Sequence, residues 1–250
     1  MKEEHGRIGE LAYCRLPGAQ PGVVFLGGFH SDMQGSKAMF LRDHCAAAGR
    51  GFLRLDYGGH GQSGGRFEEG SIGAWAADAE AVFCAVTEGP QILVGSSMGG
   101  WIALLLARRH PARVAAVLGL AAAPDFPTLL MAPQLPEAAQ EALARDEVFH
   151  MPSDYGDPIP ITRHLIEESR AHLLLDSGFD LPCPLHLLQG MADPDVPWRH
   201  ALRILEACRR PDTRLTLIRD GDHRLSRPQD LALIAQLVDS AASTAASPSR

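Results

Sequence analysis

Short apolar stretches alternate with longer amphipathic or apolar stretches through the first half of the chain. Residues 23–26 and 52–55 fit buried strands, and residues 36–48 between them fit a helix that stops at Gly49. The same alternation continues through a helix, a strand, a nearly all-apolar helix and another strand, at residues 72–86, 91–94, 98–109 and 114–120. This order predicts an α/β fold, with a mostly parallel central sheet and helices on both faces.

The alternation breaks after Ala123 and returns at residue 185. Residues 124–180 are rich in proline and contain helical pieces at 137–145 and 161–175. They are too few to build a separate core, so we expect a helical lid inserted into one domain that spans residues 1–250. Strand 185–188, a helix near 199–208, strand 214–218 and a helix near 228–238 follow, and the small, polar residues 241–250 are expected to fray.

Composition and charge narrow the class of partners. Hydrophobic residues make up 46% of the chain and charged residues 21%, as in ordinary globular domains. The net charge of −7 repels polyanions, and the cations occur only as short pairs such as Arg108-Arg109 and Arg209-Arg210. We therefore expect no nucleic-acid partner.

Five cysteines lie scattered along the chain without metal-ligand or redox spacing, at Cys14, Cys45, Cys84, Cys183 and Cys208. This set is typical of free thiols in a reducing compartment. The apolar runs are too short to cross a bilayer, and the first residues lack the features of a targeting peptide. We expect a cytoplasmic protein without a membrane span.

The strongest chemical signal is the G-x-S-x-G sequence from Gly95 to Gly99, which places Ser97 between a predicted strand and a predicted helix. A serine on such a turn is the nucleophile elbow of α/β-hydrolases, where the hydroxyl stands above the sheet. A plain Gly/Ser turn is the alternative, and the flanking strand and helix favour the nucleophile.

A serine hydroxyl needs a base to remove its proton. His223 follows the last predicted strand, and α/β-hydrolases run in the order Ser, acid, His along the chain. His60 is the main rival among the other histidines, and we expect it near the rim of the pocket.

The third member of such a triad is a carboxylate after strand 185–188. Asp193 and Asp195 both lie there, within Gly190–Pro197. We choose Asp193, which would hold the tautomer of His223 and stabilise its protonated form. Asp195 is then expected to cap the turn.

An oxyanion hole requires two backbone N–H groups aimed at the developing negative charge. Met98, directly after the nucleophile, is expected to supply one, and Phe29, after the glycines that follow strand 23–26, the other.

The loop Gly58-Gly59-His60-Gly61 lacks the Lys and Ser/Thr of a phosphate loop, so neither metal nor cofactor is predicted.

Several stretches together resemble one family. They are Asp56-Tyr57 with Gly61-Gln62-Ser63, residues 90–97 running into Gly99-Gly100-Trp101, Met151-Pro152-Ser153, Val196-Pro197-Trp198 and Asp222-His223-Arg224. In these stretches, and through nearly the whole chain, the sequence is similar to the abhydrolase-domain-ten group of palmitoyl-protein thioesterases and acyl-glucuronide esterases. The resemblance implies hydrolysis of acyl thioesters and activated esters by Ser97, Asp193 and His223.

The expected substrate is a small molecule or an acylated protein that carries an ester or thioester. An acyltransferase with the same triad and a non-catalytic binding protein of the same fold remain as alternatives. The apolar insertion suggests an acyl-chain pocket above Ser97, although most of its large apolar residues are expected to pack in the core: Leu129, Leu130, Met131, Leu135, Phe149, Leu165, Leu173 and Leu174.

Overall fold

Eight strands form the central sheet of this computed structural model, which describes residues 2–145, 148–152 and 158–246. With a separate two-stranded pair, the described residues hold ten strands: β1 (Glu4–Ile8), β2 (Leu11–Leu16), β3 (Ala19–Leu26), β4 (Arg50–Leu55), β5 (Gln91–Ser96), β6 (Val114–Leu120), β7 (Phe149–Met151), β8 (Ile159–Ile161), β9 (Leu185–Gly190) and β10 (Arg214–Ile218). The sheet order is β1-β2-β4-β3-β5-β6-β9-β10, while β7 and β8 pair separately. From β4 to β10 the neighbouring strands are parallel.

Helices cover both faces of the sheet. They are α1 (Ser36–Ala47), α2 (Ile72–Val86), α3 (Met98–Arg109), α4 (Glu137–Ala144), α5 (Arg163–Ser169), α6 (Trp198–Ala207) and α7 (Pro228–Ala246). Successive residues of a strand point to opposite faces, so β3 sends Val24 and Leu26 to a core shared with α2 and α3. Val23 and Phe25 enter a second core shared with α1 and α7. The fold class predicted from the sequence is confirmed.

The carboxyl ends of the parallel strands meet at one edge of the sheet. Leu26 pairs with Gly95, and Ser96 pairs with Leu120, which pairs in turn with Leu188. The loops after β3, β5, β6, β9 and β10 therefore leave the sheet side by side, which is where open α/β sheets bind their ligands.

The amino-terminal hairpin was absent from the sequence prediction. β1 and β2 pair antiparallel, and β2 also pairs antiparallel with β4, so this edge departs from the parallel pattern. Every second residue of β2 is only half-buried, so the strand has no continuous run of apolar residues in the sequence. Its position is fixed by long-range pairing with β4, which a local pattern does not reveal.

Two predicted helix ends were wrong. The helix expected to run to residue 175 ends at Ser169, followed by a 3₁₀ turn at Arg170–His172, and the N–H groups of Leu174 and Leu175 donate to the Asp125 carboxylate instead. The last helix continues through Ala246, beyond the residue 238 that the pattern suggested, because Ala242 packs into the core beside the sheet.

The segment predicted as a lid lies between β6 and β9. Its described part holds a π-helical turn at Pro127–Met131, helices α4 and α5 and the β7–β8 hairpin. A small apolar cluster unites Leu135, Ala139, Leu143, Ile161 and Ile166. Ser153, part of one matching stretch, lies outside the described residues. The lid role and the single-domain boundary stay predictions. Across the described chain, no helix combines the length and apolarity that a membrane span requires.

Candidate active site

Ser97 stands on a strained turn between β5 and α3. Its backbone has φ +54° and ψ −118°, a conformation that L side chains rarely adopt. A Cβ on Gly95 would lie 2.2 Å from the Gly99 carbonyl oxygen, and a Cβ on Gly99 would lie 2.1 Å from the Leu26 carbonyl oxygen. Both glycines are therefore required by close backbone approach, and the turn has the geometry of a nucleophile elbow.

Backbone hydrogen bonds fix this turn to the neighbouring strand. The N–H of Ser97 donates to the carbonyl of Leu120 at 2.9 Å, and its carbonyl accepts from Gly100 and Ala123 at 2.9 and 3.1 Å. Ser97 thus sits at the N-terminus of α3, where the positive end of the helix dipole favours negative charge.

His223 and Asp193 come together at the same edge of the sheet. Asp193 follows β9 and His223 follows β10, and the His223 Nδ1 lies 2.9 Å from the Asp193 Oδ2. The side chain of Asp193 is 0% exposed. Because Nδ1 is used by the carboxylate, Nε2 is the ring nitrogen left for chemistry.

The surroundings of Asp193 keep it ionised. Burial acts to raise the pKa of this carboxyl, but the His223 hydrogen bond and charge and the N–H groups of Val196 and Asp195 outweigh it and hold the pKa below its ordinary value. Those two N–H groups donate to Oδ1 at 2.8 and 2.9 Å. Asp195 thus contributes its backbone, whereas its side chain is exposed.

The predicted oxyanion residues flank Ser97. Met98 is the first residue of α3, where an N–H group has no acceptor within the helix. On the other side, a Cβ on Gly28 would lie 3.4 Å from the Ser97 Cβ, which places the Gly27–Phe29 turn directly beside the serine. Both N–H donors therefore belong to segments that adjoin Ser97.

A cavity of about 640 Å³ opens at this edge of the sheet. Its wall contains Ser97 and His223 together with residues of the loop after β3, the start of α1 and Ile159 of the insertion. Seven of the eight large apolar residues expected to pack in the core do so: Leu129, Leu130, Met131, Leu165 and Leu174 in or against the main core, and Leu135 and Phe149 in or against the insertion's own cluster.

His60, the rival base, is 3% exposed and lies beneath the loop after β3. Burial lowers the pKa of its imidazole to about 4, with a smaller opposing effect from the Gly58 carbonyl. It hydrogen-bonds to backbone groups of that loop and of its own loop, and the side chain paired with a carboxylate beside Ser97 is His223.

Two residues of the site escaped the sequence reasoning. Gln189, at the end of β9, donates from Nε2 to the Asp193 Oδ2 at 2.9 Å and to the Val196 carbonyl at 3.0 Å. Lys37, in the first turn of α1, lines the cavity, and its ammonium donates to the carbonyl of Arg224 beside His223. Burial lowers the pKa of Lys37 to about 8, against the charge of Asp222. A glutamine that ends an apolar strand was the visible signal for the first, whereas Lys37 had none.

One possible metal-ligand atom from each of Asp193, Asp195 and His223 lies within 4.8 Å of the other two, a spacing that would suit a metal ion. Two of the three already bind each other at hydrogen-bond distance, and the third is exposed. The Asp193 carboxylate and the His223 ring thus form a hydrogen-bonded pair, and His223 shares the cavity wall with Ser97.

Comparison with known proteins shows the family of the chain. Residues 19–150, more than half of the chain, match the family described as serine aminopeptidase, S33. The chain is an α/β-hydrolase of this family. It is 37% identical over 231 residues to the mitochondrial palmitoyl-protein thioesterase ABHD10 of Rattus norvegicus, covering 92% of this chain and 77% of that protein.

Solved structures give the same assignment. A putative hydrolase from Agrobacterium vitis superposes with a TM-score of 0.90 and 41% identity, over 96% of this chain and 98% of that one. The α/β-hydrolase domain-containing protein 10 of mouse superposes with a TM-score of 0.85 and 36% identity, with the same coverage. The resemblance to the abhydrolase-domain-ten group is confirmed. This chain is a hydrolytic enzyme.

Proposed function

We propose that this protein is a serine hydrolase that cleaves acyl thioesters and activated carboxylic esters through an acyl-enzyme at Ser97. The observation that carries the proposal is His223, paired with the buried Asp193 carboxylate, on the wall of the cavity that also contains Ser97 on its strained turn. The abhydrolase-domain-ten relatives, named as palmitoyl-protein thioesterases, support the choice of bond.

The first half of the reaction forms the acyl-enzyme. The Ser97 Oγ attacks the acyl carbonyl carbon while its proton passes to the His223 Nε2. Asp193 stabilises the resulting imidazolium through Nδ1, and the N–H groups of Met98 and Phe29 bind the oxyanion. When the carbonyl reforms, the C–S or C–O bond breaks and the imidazolium returns its proton to the leaving group.

The second half of the reaction releases the acid. His223, neutral again, removes a proton from water as the water oxygen attacks the acyl-enzyme carbonyl. The second tetrahedral intermediate collapses, the proton passes to the Ser97 oxygen, and a carboxylic acid leaves. An alcohol or thiol in place of water would make the same site an acyltransferase, and a protein that binds acyl groups without turnover would use only the cavity.

Substrate class is tested by a series of thioesters and p-nitrophenyl esters from acetyl to palmitoyl. Each methylene that enters an apolar pocket contributes about 0.8 kcal/mol, or roughly fourfold, so we expect kcat/KM to rise with chain length until the pocket is full. A flat profile would contradict an acyl pocket, and a maximum at acetyl would indicate an esterase for small esters.

Two control measurements separate the alternatives. An aminoacyl-anilide substrate tests the aminopeptidase activity in the family's description, and we expect no release of the amine. Product analysis with added glycerol or a thiol distinguishes hydrolysis from transfer. A preference for acylated acceptor over free acid would favour the acyltransferase.

A further inference from the structure

A glycine-rich loop after β4, residues 56–63, packs under the loop after β3 that lines the cavity. Three of its side chains reach three different backbone groups of that loop. The Asp56 Oδ1 accepts from the N–H of Met33 at 2.7 Å, the Tyr57 hydroxyl donates to the carbonyl of Gly27 at 3.2 Å, and the His60 Nε2 accepts from the N–H of His30 at 3.3 Å. The loop beside Ser97 is thus held at its beginning, middle and end.

The contact of His60 defines its tautomer. A backbone N–H can only donate, so the His60 Nε2 must be the unprotonated nitrogen, and Nδ1 donates to the carbonyl of Gly58 at 3.2 Å. The indole N–H of Trp75 donates to the same carbonyl at 3.1 Å. The imidazole is surrounded by the rings of Tyr57, Phe67 and Trp75, at centroid distances of 5.4, 5.0 and 5.1 Å.

The supporting loop is itself braced. The Asp56 Oδ2 accepts from the N–H of Gln62 at 2.8 Å, and the Ser63 hydroxyl donates to the Asp56 carbonyl at 2.6 Å. Gly61 has φ +46°, and a Cβ there would lie 2.2 Å from the Asp56 carboxylate. A side chain at position 61 would therefore push Asp56 away from Met33.

Aromatic packing holds the side chain of Phe29 in the same way. Its ring lies 5.1 Å from Phe67, 5.7 Å from Trp75 and 5.4 Å from Phe126, measured between centroids. The rings of Phe67 and Trp75 thus lie against both Phe29 and His60. The Phe29 N–H lies in the chain between the Gly27 carbonyl, which binds Tyr57, and the His30 N–H, which binds His60.

We propose that Asp56, Tyr57 and His60 are positioning residues that aim the Phe29 N–H at the oxyanion through their hydrogen bonds to the loop after β3. This role rests on the proposed function, because it presumes that Phe29 donates to the oxyanion. It assigns a task to the glycine-rich loop, which the acid–base chemistry leaves without one.

The test compares three replacements of His60. In His60→Gln the amide oxygen reaches about as far as Nε2 and can still accept, in His60→Asn the side chain ends near the Nδ1 position, and in His60→Leu no acceptor remains. We expect Leu and Asn to lower kcat roughly tenfold to a hundredfold with KM within about twofold, and Gln to recover most of the loss. Tyr57→Phe, which removes one hydroxyl, should lower kcat in the same way and gives a second route if His60 variants fail to fold.

Binding of a trifluoromethyl ketone separates positioning from simple loss of structure, because its tetrahedral adduct needs the oxyanion donors. We expect its inhibition constant to rise by about the factor by which kcat/KM falls. His200→Leu is the matched control, because His200 is also 3% exposed but binds the carbonyl of Pro124. It should change kcat little when it is compared with a His60 variant of equal thermal stability.

Several outcomes would overturn the inference. Equal kcat for the Gln, Asn and Leu variants, or inhibitor affinity that stays constant while kcat falls, would show that the loop only contributes to folding. If the wild-type enzyme forms an acyl-enzyme at Ser97 and the variants retain full kcat, this inference fails while the proposed function stands. Absence of an acyl-enzyme in the wild type would remove both.

Discussion

Asp193 and Asp195 lie two positions apart, yet their surroundings differ. Asp193 is buried and accepts hydrogen bonds from His223, Gln189 and two backbone N–H groups, whereas the side chain of Asp195 is exposed. The Asp193 carboxylate binds the His223 Nδ1, which leaves Nε2 as the nitrogen for the proposed proton transfer. Burial and hydrogen bonding therefore favour Asp193 as the acid of the proposed triad.

We expect Asp193→Asn to lower kcat by about three to four orders of magnitude, because an amide that donates to the ring would favour the wrong imidazole tautomer. Asp195→Asn should lower kcat less than about tenfold. Steady-state kinetics with one thioester measures both variants. If Asp195→Asn proved the more damaging variant, the assignment of the acid would be wrong.

The sequence alone predicts a functional role for those residues that belong to a local pattern. Ser97 lies in a five-residue motif with a fixed geometry, and Asp193 and His223 follow strands whose carboxyl ends must meet. Lys37 belongs to no pattern, because it reaches the Arg224 carbonyl only after α1 has packed against the sheet. The spacing of residues along the sequence cannot reveal contacts that form only when distant segments pack together.

Among the structural elements, the turn between β5 and α3 is the most constrained. A Cβ at Gly99 would meet the carbonyl oxygens of Leu26 and Gly27 at 2.1 and 2.5 Å. Those atoms belong to the backbone of β3, a central strand of the sheet, and of the loop after it, and they cannot move without disturbing both the core and the cavity wall.

Gly99→Ala should therefore lower the free energy of unfolding by about 3 kcal/mol or more and abolish turnover, as overpacking against backbone does. Gly51→Ala is the control, because the nearest atoms to a Cβ there lie at 3.6 Å. Urea unfolding of both variants provides the comparison. Equal stability of the two would mean that the turn is looser than its geometry indicates.

The sequence predicts elements best where burial on both faces produces long apolar runs. The α2 and α3 bounds and strand β6 agree with the pattern to the residue. β1 and β2 were missed because their position depends on pairing with β4. The end of α5 was wrong because Asp125, distant in sequence, takes the N–H groups of Leu174 and Leu175.

The molecule as a whole buries two histidines that the proposed chemistry does not protonate. Burial lowers the pKa of His60 and of His200 to about 4, from an ordinary value of 6.5. The unfolded chain therefore binds more protons than the folded protein between about pH 6.5 and pH 4. Stability must fall as the pH falls through that window.

Each of these histidines should remove about 2 kcal/mol of stability between pH 7 and pH 5. His200→Gln keeps a donor for the Pro124 carbonyl but does not titrate, so its loss of stability over the same range should be smaller than the wild-type loss by about that amount. Urea unfolding at the two pH values measures the difference. An unchanged pH dependence would mean that His200 binds protons equally in both states.

Intact-protein mass spectrometry can show whether Ser97 is the nucleophile that forms a covalent acyl-enzyme. Incubation with a fluorophosphonate should add one adduct, and peptide mapping should place it on Ser97, because the activated serine alone attacks such a reagent at a useful rate. Ser97→Ala should lose both the adduct and nearly all thioester turnover, while Ser96→Ala keeps the adduct. An adduct that persisted in Ser97→Ala, or full turnover by that variant, would mean that Ser97 is not the nucleophile.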